Sequence, residues 1–475
     1  MYEKSKQSKG EVFLPRIWLK LAATCSLVAL CGCQMGSLTS LKEMNPFANG
    51  SVGTEQGSEV SEDKGSGVSL SPSAFSGAEV NVNFDAGFAG AMRQAIMNDP
   101  YVLSAQNEAA SAQARVLKTK SQKDFNYDAK LLGGIEDVTD EIAGVAAILS
   151  ARRSVYDGGK IDAQVAADEY AARASEYVVT ATQNERGVIL ANAWIELEQY
   201  RRLRNLIDSR LDVLDPLVSQ LEAVAKSGAG DASQVAAAQR TVSMIRVTQT
   251  DVFEKYELAK IEFITLFGQL PDSVRYDAAL LAKELPTGEG SALLQAAPIV
   301  MARYNEYRSS EASLLSVKAL ERFDVGFEAK AQKPLGGSNY SSDESVGLVL
   351  TKTFYRGKQL KSQIDSAEAI AKSKAEQVRV TFRKGELELN SSRQMIASMG
   401  KAIVQARDNA RITQDEISYL RKQLIIGGST LESILSAEAR LYDAQSKEIG
   451  FQAERRKAEV RILGLTGKLT TLLQL

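Results

Sequence analysis

Two glycine-rich breaks interrupt long helical patterns at a fixed distance along the chain. Gly228 lies in the first break and Gly427 in the second, 199 residues later. Two further pairs stand at the same offset: Tyr156 with Tyr355, and Gly268 with Gly467. Several landmarks in one register indicate a tandem duplication, so both halves are expected to fold into the same unit.

Each half contains a helical pattern on either side of its break. Residues 160–226 and 231–267 flank the first break, and residues 358–425 and 430–465 flank the second. Apolar residues at heptad spacing occur in both long segments: Ile207, Leu211, Leu214, Val218, Leu221 and Ala225, then Ile396, Ile403, Ala410, Ile417 and Leu424. At about 1.5 Å per residue, a helix over 160–226 would reach about 100 Å, so each break is predicted to be the tip of a long helical hairpin.

Short alternating segments precede each long helix. They lie at 125–134, 143–155, 323–332 and 346–354. Polar and apolar residues that alternate in this way predict strands with one apolar face. The chain is therefore predicted to be mostly α with a small β part. Its expected divisions are a first structural repeat at 85–270, a linker at 271–290 and a second structural repeat at 291–470.

The composition excludes several classes of function. The sequence contains no histidine, which removes the commonest general base and a common zinc ligand. All three cysteines lie within residues 25–33, and a formal net charge of −2 gives no indication of a nucleic-acid partner. We therefore expect no enzymatic activity, no metal site and no cofactor.

The N-terminus has the layout of an export signal. An apolar run at 21–30 follows several basic residues and is too short to span a bilayer. The run continues into Leu30-Cys31-Gly32-Cys33, which resembles the lipobox of bacterial lipoproteins. The resemblance implies a signal peptide at 1–32, a lipidated Cys33 and a flexible tether at 33–84. It also favours the outer membrane, because Gln34 stands where aspartate tends to retain lipoproteins at the inner membrane. A signal cut elsewhere, or an uncleaved anchor, is the alternative.

The predicted strand count indicates an oligomer. Four strands cannot close a barrel alone, and open strand edges are unfavourable in lipid. Strands of about 10 residues have the length needed to cross an outer membrane, and three copies of four strands would supply twelve. Tyr156 and Tyr355 are then expected to lie in interfacial aromatic girdles, with ordinary packing at the strand–helix junction as the alternative.

Several motifs, in this order and spacing, resemble those of the TolC-type outer-membrane channel family. They are residues 95–100 (AIMNDP), 155–160 (VYDGGK), 266–268 (LFG), 354–357 (FYRG) and 427–441, within a resemblance that covers about 85–470. The resemblance implies a homotrimer with a 12-stranded transmembrane β-barrel and a trimeric helical barrel through the periplasm. It also implies a passive export duct that works with a periplasmic adaptor protein and an inner-membrane ABC or proton-driven transporter, in efflux or type I secretion.

The two tips carry the residues to which this resemblance gives roles. It implies that the adaptor docks at four tip residues: Gly228, Ser233, Gly427 and Gly428. The acidic residues that constrict the tunnel in the family fall at Gln234, Ser433 and Ser436 here. We therefore predict a gate that is closed by polar and apolar contacts of Gln234, Leu424, Ser433 and Ser436. Glu432 and Glu438 also lie near this gate. For both, the alternative to a role in the gate is a solvated position on the helix surface.

A lipid-anchored periplasmic adaptor or coiled-coil scaffold is the second hypothesis. Adaptors usually contain one hairpin beside β-rich domains, whereas this sequence predicts two hairpins and few strands. The cargo stays open, because drugs, metal ions, peptides and adhesins all pass through ducts of this kind.

Overall fold

The helices and strands occur where the sequence patterns predict them. In this computed structural model the described residues are 82–135, 143–228, 232–271, 281, 285–336, 342–354 and 357–475. The predicted signal peptide, the lipidation site Cys33 and the aromatic residue Tyr355 lie outside the described residues.

The first half of the chain places two strands between a pair of short helices and a long hairpin. Its elements are α1 (Gly87–Met97), α2 (Pro100–Lys120), β1 (Asn126–Ile135), β2 (Ala143–Tyr156), α3 (Lys160–Lys226) and α4 (Ala232–Phe267). A break at Asn98 and Asp99 separates α1 from α2. Pro100 begins α2, where its missing N–H would have no helical partner, and the Asp99 carboxylate caps the helix by accepting the Tyr101 N–H at 2.9 Å.

The second half repeats this order. Its elements are α5 (Gly290–Gln295), α6 (Pro298–Ala319), β3 (Asp324–Gly336), β4 (Asp343–Thr351), α7 (Gln359–Ile425), α8 (Leu431–Leu465) and α9 (Lys468–Leu473). Both α3 and α7 contain 67 residues, which confirms the predicted hairpin arms and corresponds to about 100 Å of helix in each.

The helical segment that precedes β3 is divided into α5 and α6, because Ala297 is extended and Pro298 starts a new helix after it. Two predicted strands have different bounds in the structure. The strand predicted over 323–332 extends to Gly336. The strand predicted over 346–354 is Asp343–Thr351, since pairing with β3 fixes its position by matching Thr351 with Asp324 and Asp343 with Gln332. Alternation within one strand does not encode this register, because the register depends on pairing with a second strand.

Side-by-side helices bury the core in strips. Helix α3 packs against α2, α4, α6 and α8, and α7 packs against α5, α6 and α8. One strip groups aromatic rings around Trp194, with Phe263 and Phe267 stacked at 4.3 Å between ring centroids. A second strip near the tips joins both hairpins through Ile207 and Leu214 of α3 and Leu435 of α8.

All four strands form one antiparallel sheet in the order β1-β2-β3-β4. Within the described part of the chain, β1 and β4 each have one partner strand and one open edge. Among the described residues, none of the helices combines the length and the low polarity that a bilayer crossing requires.

Candidate functional site

One face of the sheet presents large apolar side chains that none of the described residues covers. Cross-strand pairing puts six of them on this apolar face: Tyr127, Leu131, Leu149, Val346, Leu348 and Leu350. All six are exposed, and Leu348 retains 68% of its accessible surface. Soluble proteins rarely expose a continuous apolar surface of this kind, so it indicates a contact with lipid or with another protein.

The opposite face of the sheet is largely polar. Six of its residues define this polar face: Asp128, Lys130, Arg152, Glu328, Lys330 and Ser345. Arg152 and Glu328 pair across β2 and β3 at 3.4 Å. On the apolar face, the charged residues among those described are Arg153 toward one end of the sheet and Lys333 and Glu344 toward the other. An apolar middle zone between polar ends, with polar residues behind it, is the pattern of a membrane-spanning β-sheet around water.

Aromatic side chains cluster at the end of the sheet from which α3 starts. The Tyr156 ring lies 4.8 Å from that of Phe323, and the Phe125 ring lies 5.9 Å from that of Phe327. The Arg153 guanidinium lies 5.2 Å from the centre of the Phe125 ring. Tyr156 therefore makes a packing contact at the strand–helix junction and is also partly exposed, as an interfacial residue would be.

Both predicted tips are glycine turns with the same backbone conformation. Gly228 has φ of +78° and Gly427 has φ of +75°, values that favour glycine because it has no Cβ. The Gly228 N–H donates to the Ala225 carbonyl at 3.0 Å, and the Gly427 N–H donates to the Leu424 carbonyl at 3.2 Å. Gly428 adds a bond from its N–H to the Gln423 carbonyl at 2.9 Å. These bonds satisfy carbonyls that the ends of α3 and α7 would otherwise leave unpaired.

The start of α8 engages one of the predicted gate residues. Thr430 caps the helix by accepting the Ser433 N–H at 3.2 Å, and the two hydroxyls lie 2.9 Å apart. Ser433 and Leu424 are half-buried in the single chain, whereas Ser436 is exposed. Ser433 thus has a local role in capping, apart from its predicted role in the gate.

The two tips of one chain lie beside each other. Val235 of α4 and Leu431 of α8 both pack on the apolar strip that contains Leu221 and Leu435. The half-buried gate residue Gln234 precedes Val235, while Ser233, the second residue of the same helix, is exposed. The predicted docking and gate residues of the two hairpins therefore share one end of the molecule.

Glu438 has a different environment from the one expected on a solvated helix surface. Only 2% of this residue is exposed, and two arginines from different helices hold its carboxylate. Arg210 of α3 donates to Oε2, and Arg421 of α7 donates to Oε1 at 3.0 Å. Arg210 also donates to Gln445 at 2.8 Å. Glu438 thus joins both hairpins through α3, α7 and α8, a role that its spacing from Ile434 and Leu441 on the buried face of α8 could have indicated.

The duplication extends to the polar pairs within each hairpin. In the second hairpin, Arg421 pairs with Glu438, and Arg407 donates to Glu448 at 2.9 Å. Residues 199 positions earlier pair in the first hairpin as well. There Gln239 donates to Glu222 at 2.8 Å and Gln249 donates to Asp208 at 2.8 Å. The positions are the same, but ion pairs in the second hairpin correspond to carboxylate–amide bonds in the first.

The interface between α3 and α8 adds further polar contacts. Lys457 donates to Glu196 at 2.7 Å, and Arg202 donates to Gln452 at 2.9 Å. Burial lowers the pKa of Lys457, but its hydrogen bond to Glu196 and the charges of Glu196 and Glu454 outweigh this effect, so its pKa lies above the ordinary value of 10.5.

Comparison with known proteins places the architecture among outer-membrane channels. No family model matches the sequence, and no curated protein matches it either. Among solved structures, VceC of Vibrio cholerae is 17% identical, with 79% of this chain and 95% of VceC covered and a TM-score of 0.70. The open state of MtrE of Neisseria gonorrhoeae is 14% identical, with 80% of this chain and 88% of MtrE covered and a TM-score of 0.70.

CmeC of Campylobacter jejuni is similar to the same extent. It is 12% identical, with 79% of this chain and 84% of CmeC covered and a TM-score of 0.68. Each of these solved structures is described as an outer-membrane protein or channel. The predicted resemblance is therefore confirmed at the level of the fold: this chain has the fold of the TolC-type outer-membrane channels.

Proposed function

We propose that this chain is the outer-membrane channel of a tripartite efflux pump or a type I secretion system, a passive duct across the periplasm and the outer membrane. The observation that carries the proposal is the exposed apolar face of the sheet, centred on Leu348, attached to two hairpins of about 100 Å. A hydrocarbon layer would cover that face, and the helices would extend from it through an aqueous space.

Three copies would close the sheet into a barrel. Each chain contributes four strands of 9 to 14 residues, and a membrane-crossing strand needs about 9 to 11. The open edges of β1 and β4 would pair between neighbouring copies, because unpaired backbone groups are strongly unfavourable in lipid. Twelve strands, as three times four, would then enclose the polar face.

Energy and cargo selection would come from the partners. An inner-membrane ABC or proton-driven transporter would supply the energy, and a periplasmic adaptor would connect it to the tips at Gly228, Ser233, Gly427 and Gly428. At rest the tunnel mouth would close through Gln234, Leu424, Ser433 and Ser436. The predicted lipid on Cys33 would add an anchor in the outer membrane after removal of residues 1–32.

The outer-membrane role is tested by two substitutions on opposite faces of β4. Leu348→Lys puts a charge on the apolar face, at an expected cost of about 2–4 kcal/mol near the bilayer midplane. Ser345→Lys puts the same charge on the polar face, where water would solvate it. We expect the first variant to be lost from the outer-membrane fraction and the second to be retained. Equal retention of both variants would contradict a membrane position for this sheet.

The uncharged gate is tested by conductance in planar bilayers. We expect weak block of the wild-type channel by divalent cations and stronger block after Ser433→Asp, because a ring of three carboxylates would bind the cations. Ser436→Asp provides a second position on the same helix. Strong divalent block of the wild type would contradict a gate closed by polar and apolar contacts.

A further inference from the structure

The duplication shows what should cover the surfaces that a single chain leaves exposed. Within the chain, α3 of the first half packs against α8 of the second half. Helices α7 and α4 are their repeat-related equivalents, 199 residues away in each case, and α7 lies at one side of the chain with no such partner among the described helices. In a ring of copies, α7 of one chain would meet α4 of the next in the way that α3 meets α8.

Burial at equivalent positions supports this correspondence. Val460 of α8 is fully buried in the strip it shares with α3, whereas its equivalent on α4, Ile261, is 62% exposed. Leu463 and its equivalent Ile264 differ in the same sense, buried in α8 and exposed in α4. The exposed apolar side chains of α4 therefore occupy positions that a long helix covers in the other half of the chain.

The polar contacts of α3 with α8 have equivalents of different chemistry. Lys457 and Glu196 form an ion pair at 2.7 Å, and their equivalents are Leu258 and Met395, both exposed in the single chain. Glu438 and Arg210 form the buried ion pair, and their equivalents are Gln239 and Asn409, also exposed. The four positions equivalent to the members of these two ion pairs thus carry apolar or amide side chains.

We propose that α7 of one copy packs against α4 of a second copy through Met395 on Leu258 and Asn409 beside Gln239. At these two pairs of positions the interface between copies is then uncharged, whereas the interface within a copy is ionic. This inference rests on the proposed ring of copies and specifies which surfaces and which pairs build it.

Cysteine cross-linking tests the contact in the full chain. The variant Met395→Cys with Leu258→Cys is treated with a short bis-maleimide in detergent, beside the variant Glu196→Cys with Lys457→Cys as the matched pair within a chain. We expect the first variant to give bands of two and three chain masses and the second to link without a gain in mass. Variants with only one of the introduced cysteines should give neither product. They also control for cross-linking through the natural Cys33.

The outcomes separate this inference from the proposed function. Suppose that the preparation has the mass of an oligomer and the matched pair links, but Met395→Cys with Leu258→Cys gives only a single-chain band. This result would overturn the contact and leave the channel proposal intact. A preparation with the mass of one chain would overturn both.

An independent test introduces the ion pair of the interface within a chain at the equivalent positions of the interface between copies. Leu258→Lys and Met395→Glu copy the ion pair of Lys457 and Glu196 at the equivalent positions. Each single variant should lower the oligomer fraction about tenfold, because it leaves an unpaired charge in an apolar contact. The double variant should restore most of that fraction. Independent effects of the two substitutions would contradict the contact, since side chains that do not touch contribute additively.

Discussion

The two hairpins of this chain share a backbone plan and differ in the chemistry that holds their arms together. Gln239 bonds to Glu222 in the first hairpin, and Glu438 bonds to Arg421 at the equivalent positions of the second. The hydrogen bond of the first pair is exposed, whereas Glu438 is buried and also receives a hydrogen bond from Arg210 in the other hairpin. Glu438 therefore attaches the second hairpin to the first by a buried charged contact, whereas the equivalent residue of the first hairpin, Gln239, is exposed.

This difference shows which features of a duplicated unit can diverge. Both tips keep a glycine with φ near +75°, because few other residues adopt that conformation without strain. The pairs along the arms tolerate any two side chains that satisfy each other, so an ion pair and a carboxylate–amide pair occupy equivalent places. Backbone geometry constrains the repeat more tightly than side-chain chemistry does.

The largest effect is expected where the two hairpins differ most. Glu438→Ala would leave Arg210, itself almost buried, without its charged partner, and removal of one member of a buried ion pair costs about 3–5 kcal/mol. Gln239→Ala, at the equivalent position, removes one exposed hydrogen bond that contributes about 1 kcal/mol. The free energy of unfolding in denaturant measures both. Equal losses would show that burial of Glu438 does not distinguish the hairpins.

An intermediate and equal effect is expected at the tips. An added Cβ would meet no atom within 4 Å at either Gly228 or Gly427, so Gly→Ala costs only backbone strain, about 1–2 kcal/mol at each position. Thermal unfolding of the two single variants measures this cost. A loss confined to one tip would indicate that the two turns are not equivalent.

The smallest effect concerns pH. Because the folded-state pKa of Lys457 is raised above 10.5, its ion pair with Glu196 contributes stability below that pH and loses it as the pH rises through the folded-state pKa. Wild type should therefore lose slightly more stability than Lys457→Met between neutral and strongly alkaline pH, by less than about 1 kcal/mol. Parallel pH profiles of the two proteins would show that this pair contributes nothing measurable.

Much of the fold could be predicted from local patterns. The offset between Gly228 and Gly427 identified the duplication, and the heptads before each glycine gave the ends of α3 and α7 to within one residue. Alternation identified all four strands. These features depend on neighbours three, four or two positions away along the chain, so the sequence itself contains them.

The tertiary structure decided the features that depend on partners distant in sequence. The position of β4 follows from its pairing with β3, and the role of Glu438 follows from Arg210, which lies 228 residues earlier. The spacing of Glu438 from Ile434 and Leu441 could place it on the buried face of α8, but it could not identify Arg210 as the partner of its carboxylate. Periodicity determined how long each helix is and where it turns, whereas only the packing of α3, α7 and α8 determined which charges meet and lose their contact with water.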